Sequence, residues 1–311
     1  MLKKIIKAEA LFWVFIGLLL LVTSCKKQEK EFAHAIVSTA KPIKAKETIS
    51  QKHKSYWFSG QAEISSYKLE QARYGEIREG QAVLIYVTED FLPEKQVKAD
   101  AKNPENISVL KLNATKNFNT GIYPYSIMQS IFYPFSNNSH ALKVSCSVQE
   151  WCGHVYSQIN NKELFEITSH SYIESEADEH FQLNKTVLEN ELWVQLRINP
   201  QSLPVGELDM IPSLEFTRLR HITIKAYKAI ATLNNNTYTI NYPDLNRTLS
   251  IQFNADFPYD ILNWEETFVS GFGNSASLLT TKATKLKTIK SAYWQQNSNA
   301  NIVLRDTLQL N

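Results

Sequence analysis

Glu150, Cys152 and His154 stand at alternate positions in one short segment. On an extended strand, residues two apart share a face and lie about 6–7 Å apart along the backbone. A thiol beside an imidazole that a carboxylate orients makes a nucleophile, because the imidazole takes the thiol proton. The same residues also suit an ordinary core strand. Leu142, Val144, Cys146, Val148 and Tyr156 continue the alternation, with Cys152 as a small apolar residue and His154 as its hydrogen-bonded neighbour. A continuous strand over 142–156 separates Cys146 from Cys152 by about 20 Å. A disulfide needs Cα atoms within about 7 Å, so a bridge requires a turn within residues 147–151. A second cluster, His170, Glu174, Glu176, Asp178, Glu179 and His180, contains metal-ligand types. Its spacing matches neither HExxH nor an EF-hand loop, so a solvated acidic loop is expected, and neither metal nor cofactor is expected anywhere in the chain. Lys282, Lys285, Lys287 and Lys290 read as the exposed face of a terminal strand.

The third cysteine, Cys25, has a different setting. Lys3, Lys4 and Lys7 precede an apolar run from residue 10 to residue 22, then Thr23, Ser24 and Cys25. The run is short of the roughly 20 residues that a spanning helix needs, but it suits a signal-peptide core. The stretch 18–25 resembles the bacterial lipobox, in which cleavage before the cysteine is followed by lipid attachment to its thiol. Residues 1–24 are therefore expected to be a leader, and Cys25 a lipidation site that ties the protein to a membrane. Lys26 after the cysteine resembles outer-membrane sorting in enteric bacteria.

Losing residues 1–24 removes three lysines and Glu9 from the 33 basic and 31 acidic residues, which leaves the two signs equal. A nucleic-acid partner is not expected from such a chain, since phosphate recognition rests on a basic excess. Nine glycines in 311 residues, with neither GxGxxG nor a Walker GK[ST], argue against a phosphate-cradling loop. Residues 26–54 carry eight lysines against Glu29, Glu31 and Glu47 and lack periodicity. They read as a tether, 25–54, between the lipid and a domain that starts at residue 55.

From there the pattern has period two. Strands are expected at 81–87 (after a turn at 78–80), 107–112, 126–133, 141–158, 164–169, 215–222, 223–233, 237–242, 248–253 and 278–293. One helix stands out: Thr186 is its N-cap and Glu189 the capping-box partner, Leu188, Leu192, Trp193, Val194 and Leu196 give its apolar face, and Pro200 ends the run. A short helix is expected at 302–308, in a tail at 298–311. The fold class this implies is mainly β, a curved or partly closed antiparallel sheet with a central packed helix, over 55–297.

Residues 56–98, with Tyr56-Trp57-Phe58-Ser59-Gly60 and Glu70-Gln71-Ala72-Arg73-Tyr74-Gly75, together with Gln149-Glu150-Trp151-Cys152-Gly153-His154 and Tyr293-Trp294, resemble a family of uncharacterised Gram-negative envelope lipoproteins. Some of its members carry the name septum formation inhibitor Maf. The chain lacks the Ser-x-Ser-Pro-Arg-Arg signature of true Maf proteins, so the resemblance implies a location in the envelope and no pyrophosphatase activity. Leu203-Pro204-Val205-Gly206-Glu207 and the run from Tyr242 to Arg247 are similar to periplasmic proteins whose long curved sheet can cradle lipid or another apolar molecule. The resulting expectation is a non-enzymatic, membrane-anchored lipoprotein that binds an apolar ligand or an envelope partner. Trp57, Phe58, Tyr86, Trp151, Trp193, Trp264 and Trp294 are candidate wall residues. The competing expectations are a thiol hydrolase using Cys152 and His154 and a structural subunit of an envelope assembly.

Overall fold

The structure, a computed structural model, describes residues 50–135 and 140–310. The leader, Cys25 and the tether up to residue 49 lie outside the described residues. Helix α1 (Gln51–Trp57) starts inside the expected tether, with the Ser50 side chain accepting from the His53 amide. Burial of Trp57 draws these residues into the domain, and Thr88 Oγ1 donates to the Trp57 carbonyl at 2.7 Å.

The rest is built on sixteen strands. The first nine are β1 (Ala62–Arg73), β2 (Glu76–Leu92), β3 (Val97–Lys98), β4 (Ile107–Thr120), β5 (Tyr123–Pro134), β6 (Lys143–Glu150), β7 (Gly153–Asn161), β8 (Phe165–His170) and β9 (Glu179–Leu183). After β10 (Val187–Leu188), helix α2 (Glu189–Ile198) crosses, β11 (Gly206–Ile211) pairs parallel with β10, and helix α3 (Leu214–Arg220) follows. The chain then meanders through β12 (Tyr227–Asn234), β13 (Thr237–Tyr242), β14 (Arg247–Phe253), β15 (Ile261–Ser270) and β16 (Ser277–Ser291), and ends at helix α4 (Val303–Thr307). All other pairings are antiparallel, and β16 docks on β1 to join the two meanders into one sheet. The ladder stops at β9 and β10, so the sheet stays open.

Curvature follows from what α2 touches. It contacts side chains from β14, β15, β1, β2 and β5, which lie within seven consecutive strands of the sheet. Laid flat, those strands span about 29 Å, while ten helical residues extend about 15 Å. The sheet must wrap around the helix. In β2 the alternation serves both faces: Ala82, Leu84 and Tyr86 join the main core, whereas Val83, Ile85 and Val87 pack with Ala62, Ile64, Leu308 and Leu310. The mainly β class, the central helix and the terminal helix are as expected.

Several local expectations give way. The strand expected over 142–156 is a hairpin, with a turn at Trp151–Cys152 and Glu150 opposite Gly153. Where a strand is expected over 215–222, the chain forms helix α3 up to Arg220, because the Ser213 hydroxyl caps it from outside and Leu214, Glu215, Phe216, Thr217 and Leu219 are all buried, a pattern with no period of two. Helix α2 begins two residues later than the Thr186 cap implies. Val187 and Leu188 are taken up by β10, Thr186 Oγ1 donates to the Asp209 carbonyl, and Glu191 accepts from the Leu188 amide at 3.1 Å. The turn expected at Gly80 lies instead at Tyr74–Gly75, where both residues have positive φ, as a type I′ hairpin requires. Gly80 sits inside β2 because a Cβ there would lie 2.3 Å from the Asn117 carbonyl oxygen of β4. The lysine strand β16, last in the chain, is central in the sheet.

Candidate ligand cleft

Helix α2 carries acids in its first turn and Arg197 in its last, the order that the helix dipole favours. At the C-terminal end, Arg197 grips Glu63 of β1 with both terminal nitrogens, at 2.6 and 2.8 Å, and its Nε donates to the Pro258 carbonyl at 2.9 Å. The guanidinium lies 4.6 Å from the Tyr86 ring centre and 5.1 Å from that of Trp57. The Tyr56 hydroxyl also donates to Glu63. Burial alone would raise the Glu63 carboxyl, but Arg197 and the Tyr56 hydrogen bond hold it below its ordinary value.

The N-terminal end is larger and more polar. Arg247 of β14 makes a two-pronged pair with Glu189, and its Nε donates to Glu266 of β15 at 2.7 Å. Tyr242 donates to Glu189 at 2.8 Å, and Phe216 of α3 covers the guanidinium at 4.0 Å. Beside this cluster, Lys116 of β4 pairs with Glu215 of α3 at 2.7 Å. Gln129 donates to the same carboxylate at 2.8 Å, and Asn190 donates to Gln129 at 2.7 Å. Glu189, Glu215 and Glu266 thus share two cations, Arg247 and Lys116. Burial, reinforced by Glu266, raises the Glu215 carboxyl despite Lys116, whereas Arg247 outweighs burial at Glu189 and lowers it.

Between this polar end, the sheet and α3 lies a cleft. Its cavity volume is about 50 Å³, so it is a narrow slot rather than a chamber. Ala72, Leu84, Trp193, Phe216, Trp264 and Phe268 are among its apolar walls. Trp193 and Trp264 meet edge to face at 5.2 Å. The exposed Phe272, with Tyr74, Arg73 and Arg220, marks the mouth. The carboxylates and cations inside are engaged with one another, so the aliphatic and aromatic surface is what remains for a guest.

The residues singled out for thiol chemistry lie elsewhere. Cys152 is exposed at the tip of the β6–β7 hairpin, and Cys146 is buried four residues from the turn; both are free thiols. Glu150 and Cys152 do meet, the carboxylate accepting from the Cys152 amide at 2.7 Å. His154 stands opposite Gln149, and no hydrogen bond joins it to either residue. A separate hydrogen bond from the Cys152 thiol to Glu150, with the negative charge of that carboxylate, raises the Cys152 thiol, and burial raises that of Cys146. A thiolate nucleophile requires the opposite shift. Among the described residues no group of three or more His, Cys, Asp or Glu could hold a metal ion. Glu176 of the acidic loop instead meets His221 at 2.6 Å.

Of the expected wall residues, Trp193 and Trp264 line the cleft. Trp57 and Tyr86 are core around Arg197, and Phe58, Trp151 and Trp294 are exposed. Sequence reading passed over Glu63, Lys116, Glu189, Glu215, Arg247 and Glu266 as site residues. The available signal was a charged residue at a core-facing strand position, as with Glu266 between Trp264 and Phe268.

No family model and no curated protein matches the chain. Among solved structures it is similar to a β-barrel-like protein of a domain of unknown function, DUF1849, from Brucella abortus, at 7% identity over 74% of this chain and 97% of that one, with a TM-score of 0.41. It is also similar to a porin-like protein from Bacteroides uniformis, at 8% identity over 72% of this chain and 95% of that one, with a TM-score of 0.19.

Proposed function

We propose that the protein is an envelope lipoprotein, held to a membrane by lipid on Cys25, whose β domain takes an apolar molecule into the slot beside α2. The observation that supports this reading is the pairing of charges within the cleft. Each carboxylate and cation at its inner end already has a partner, while two tryptophans and two phenylalanines face open space. An apolar guest then gains contact area without stripping water from an unpaired charge.

Indole emission tests the reading. Titrating the purified full chain with dodecanol is expected to change tryptophan fluorescence saturably, with the change reduced in Trp193→Phe and Trp264→Phe and retained in Trp294→Phe. A flat titration, or a signal that follows Trp294, counts against the slot. The anchor is tested separately: Cys25→Ala is expected to move the protein from the membrane pellet to the supernatant, and retention in the pellet after a salt wash removes that part of the proposal.

A further inference from the structure

Two arginines at the mouth of the slot have no acid to hold. Arg73 is 6% exposed. One of its terminal nitrogens donates to the Leu219 carbonyl at 2.7 Å, the other to the Tyr74 and Tyr125 hydroxyls at 3.0 and 3.1 Å. Its Nε is buried and has no partner. Arg220, half-buried at the end of α3, makes no hydrogen bond or ion pair with a described residue; its guanidinium lies over the Phe268 ring, 5.7 Å from the ring centre. Burial, with the positive charge of Arg73 close by, lowers the Arg220 guanidinium. Elsewhere the fold meets its buried arginines with carboxylates, Arg197 with Glu63 and Arg247 with Glu189 and Glu266. Leaving a desolvated guanidinium beside a second one without an acid is costly.

Resting on the reading of the slot as a ligand site, we propose that its guest is an amphiphile with an oxyanionic head, carboxylate or phosphate, seated between Arg73 and Arg220 while its chain lies along Ala72, Phe216, Phe268 and Trp264. Arg220 offers the head a free fork of donors, while Arg73, its terminal nitrogens already engaged, offers its charge and its unpartnered Nε. The charge inside sets the orientation. At the inner end of the same cleft three carboxylates, Glu189, Glu215 and Glu266, outnumber the two cations Arg247 and Lys116 that they already engage, so no free cation awaits an anion there, the head stays at the mouth and only the chain enters. The Tyr74–Gly75 turn holds the mouth in register. A Cβ on Gly75 would lie 2.3 Å from the Ser275 carbonyl oxygen, so the hairpin tip rests directly on the loop that carries Phe272.

The test compares dodecyl phosphate, dodecanol and inorganic phosphate on the full chain by tryptophan fluorescence and calorimetry. Dodecyl phosphate is expected to bind about tenfold or more tightly than dodecanol, the worth of charge-assisted hydrogen bonds. Arg220→Gln, which breaks no hydrogen bond in the fold, is expected to erase most of that difference and to leave dodecanol unchanged. Arg73→Gln is expected to do the same if its thermal midpoint stays near wild type. Equal binding of dodecyl phosphate and dodecanol overturns the head-group site and leaves the apolar slot standing. Inorganic phosphate binding as tightly as dodecyl phosphate also overturns it, because the chain then contributes nothing. If neither dodecyl compound binds, the slot itself is lost.

Discussion

The two ends of helix α2 use the same chemistry, a buried arginine gripping a buried glutamate, with opposite results. At the C-terminal end, one buried cation, Arg197, holds one buried anion, Glu63, with hydroxyl and carbonyl partners on what remains, aromatic rings above and the half-buried Lys290 beside them. That end is closed. At the N-terminal end, Arg247 divides its donors between Glu189 and Glu266, and Lys116 with Glu215 adds a second pair beside them. Five charged side chains cannot pack as compactly as two, and the slot opens beside them. The lesson concerns packing. A saturated pair clamps a helix to a sheet, whereas an unequal cluster holds it while leaving room.

The largest effect is expected at the closed end. Glu63→Ala strands the Arg197 guanidinium among aromatic rings and should cost about 3–5 kcal/mol in urea unfolding, as removal of one partner of a buried pair does. Glu189→Gln is expected to cost less, about 1–3 kcal/mol, because Arg247 keeps Glu266. If Glu189→Gln destabilises more than Glu63→Ala, the contrast between the ends is broken.

Acid titration sharpens the contrast. Glu63 and Glu189 sit below their ordinary value of 4.5 in the fold. The stability they lend is complete above that value and disappears as pH falls through their lower folded values. Glu215 has the opposite sign. Its folded value lies above 4.5, so stability is lost as pH rises from 4.5 through that folded value. In urea midpoints measured against pH, Glu63→Gln should flatten the acid limb and Glu215→Gln the limb above it. The smallest effect belongs to the hairpin tip. Glu150→Gln should speed alkylation of Cys152 a few-fold at neutral pH by relieving the carboxylate that raises the thiol, with Cys146 unlabelled until unfolding; an unchanged rate would separate the thiol from Glu150.

The sheet was legible where alternation was apolar, as in 237–242, which is β13 residue for residue. It was illegible where charges face inward. Strand β15 was passed over because Glu266 interrupts its buried face, and the inward charge makes sense only beside Arg247, nineteen residues earlier in sequence and adjacent only in the fold. Helix α3 has a strand-like local pattern for a related reason, since Glu215 is buried against Lys116, 99 positions away. The cleft depends on these distant pairings, so local spacing points instead to Cys152 and His154, where a two-residue turn breaks the alternation that the spacing suggests.

The seam between β1 and β16 has a consequence for how the molecule is made. Ala62 lies opposite Ser291, so the first strand spends nearly all of synthesis with one bare flank. A ribosome releases β1 long before its neighbour exists, and an unpaired strand edge is a template for aggregation. Any nascent or truncated chain that stops short of residue 277 exposes that flank in the middle of the finished sheet rather than at its rim. A premature stop between Phe272 and Ser277 should therefore yield insoluble product, even though it spares every residue that lines the slot.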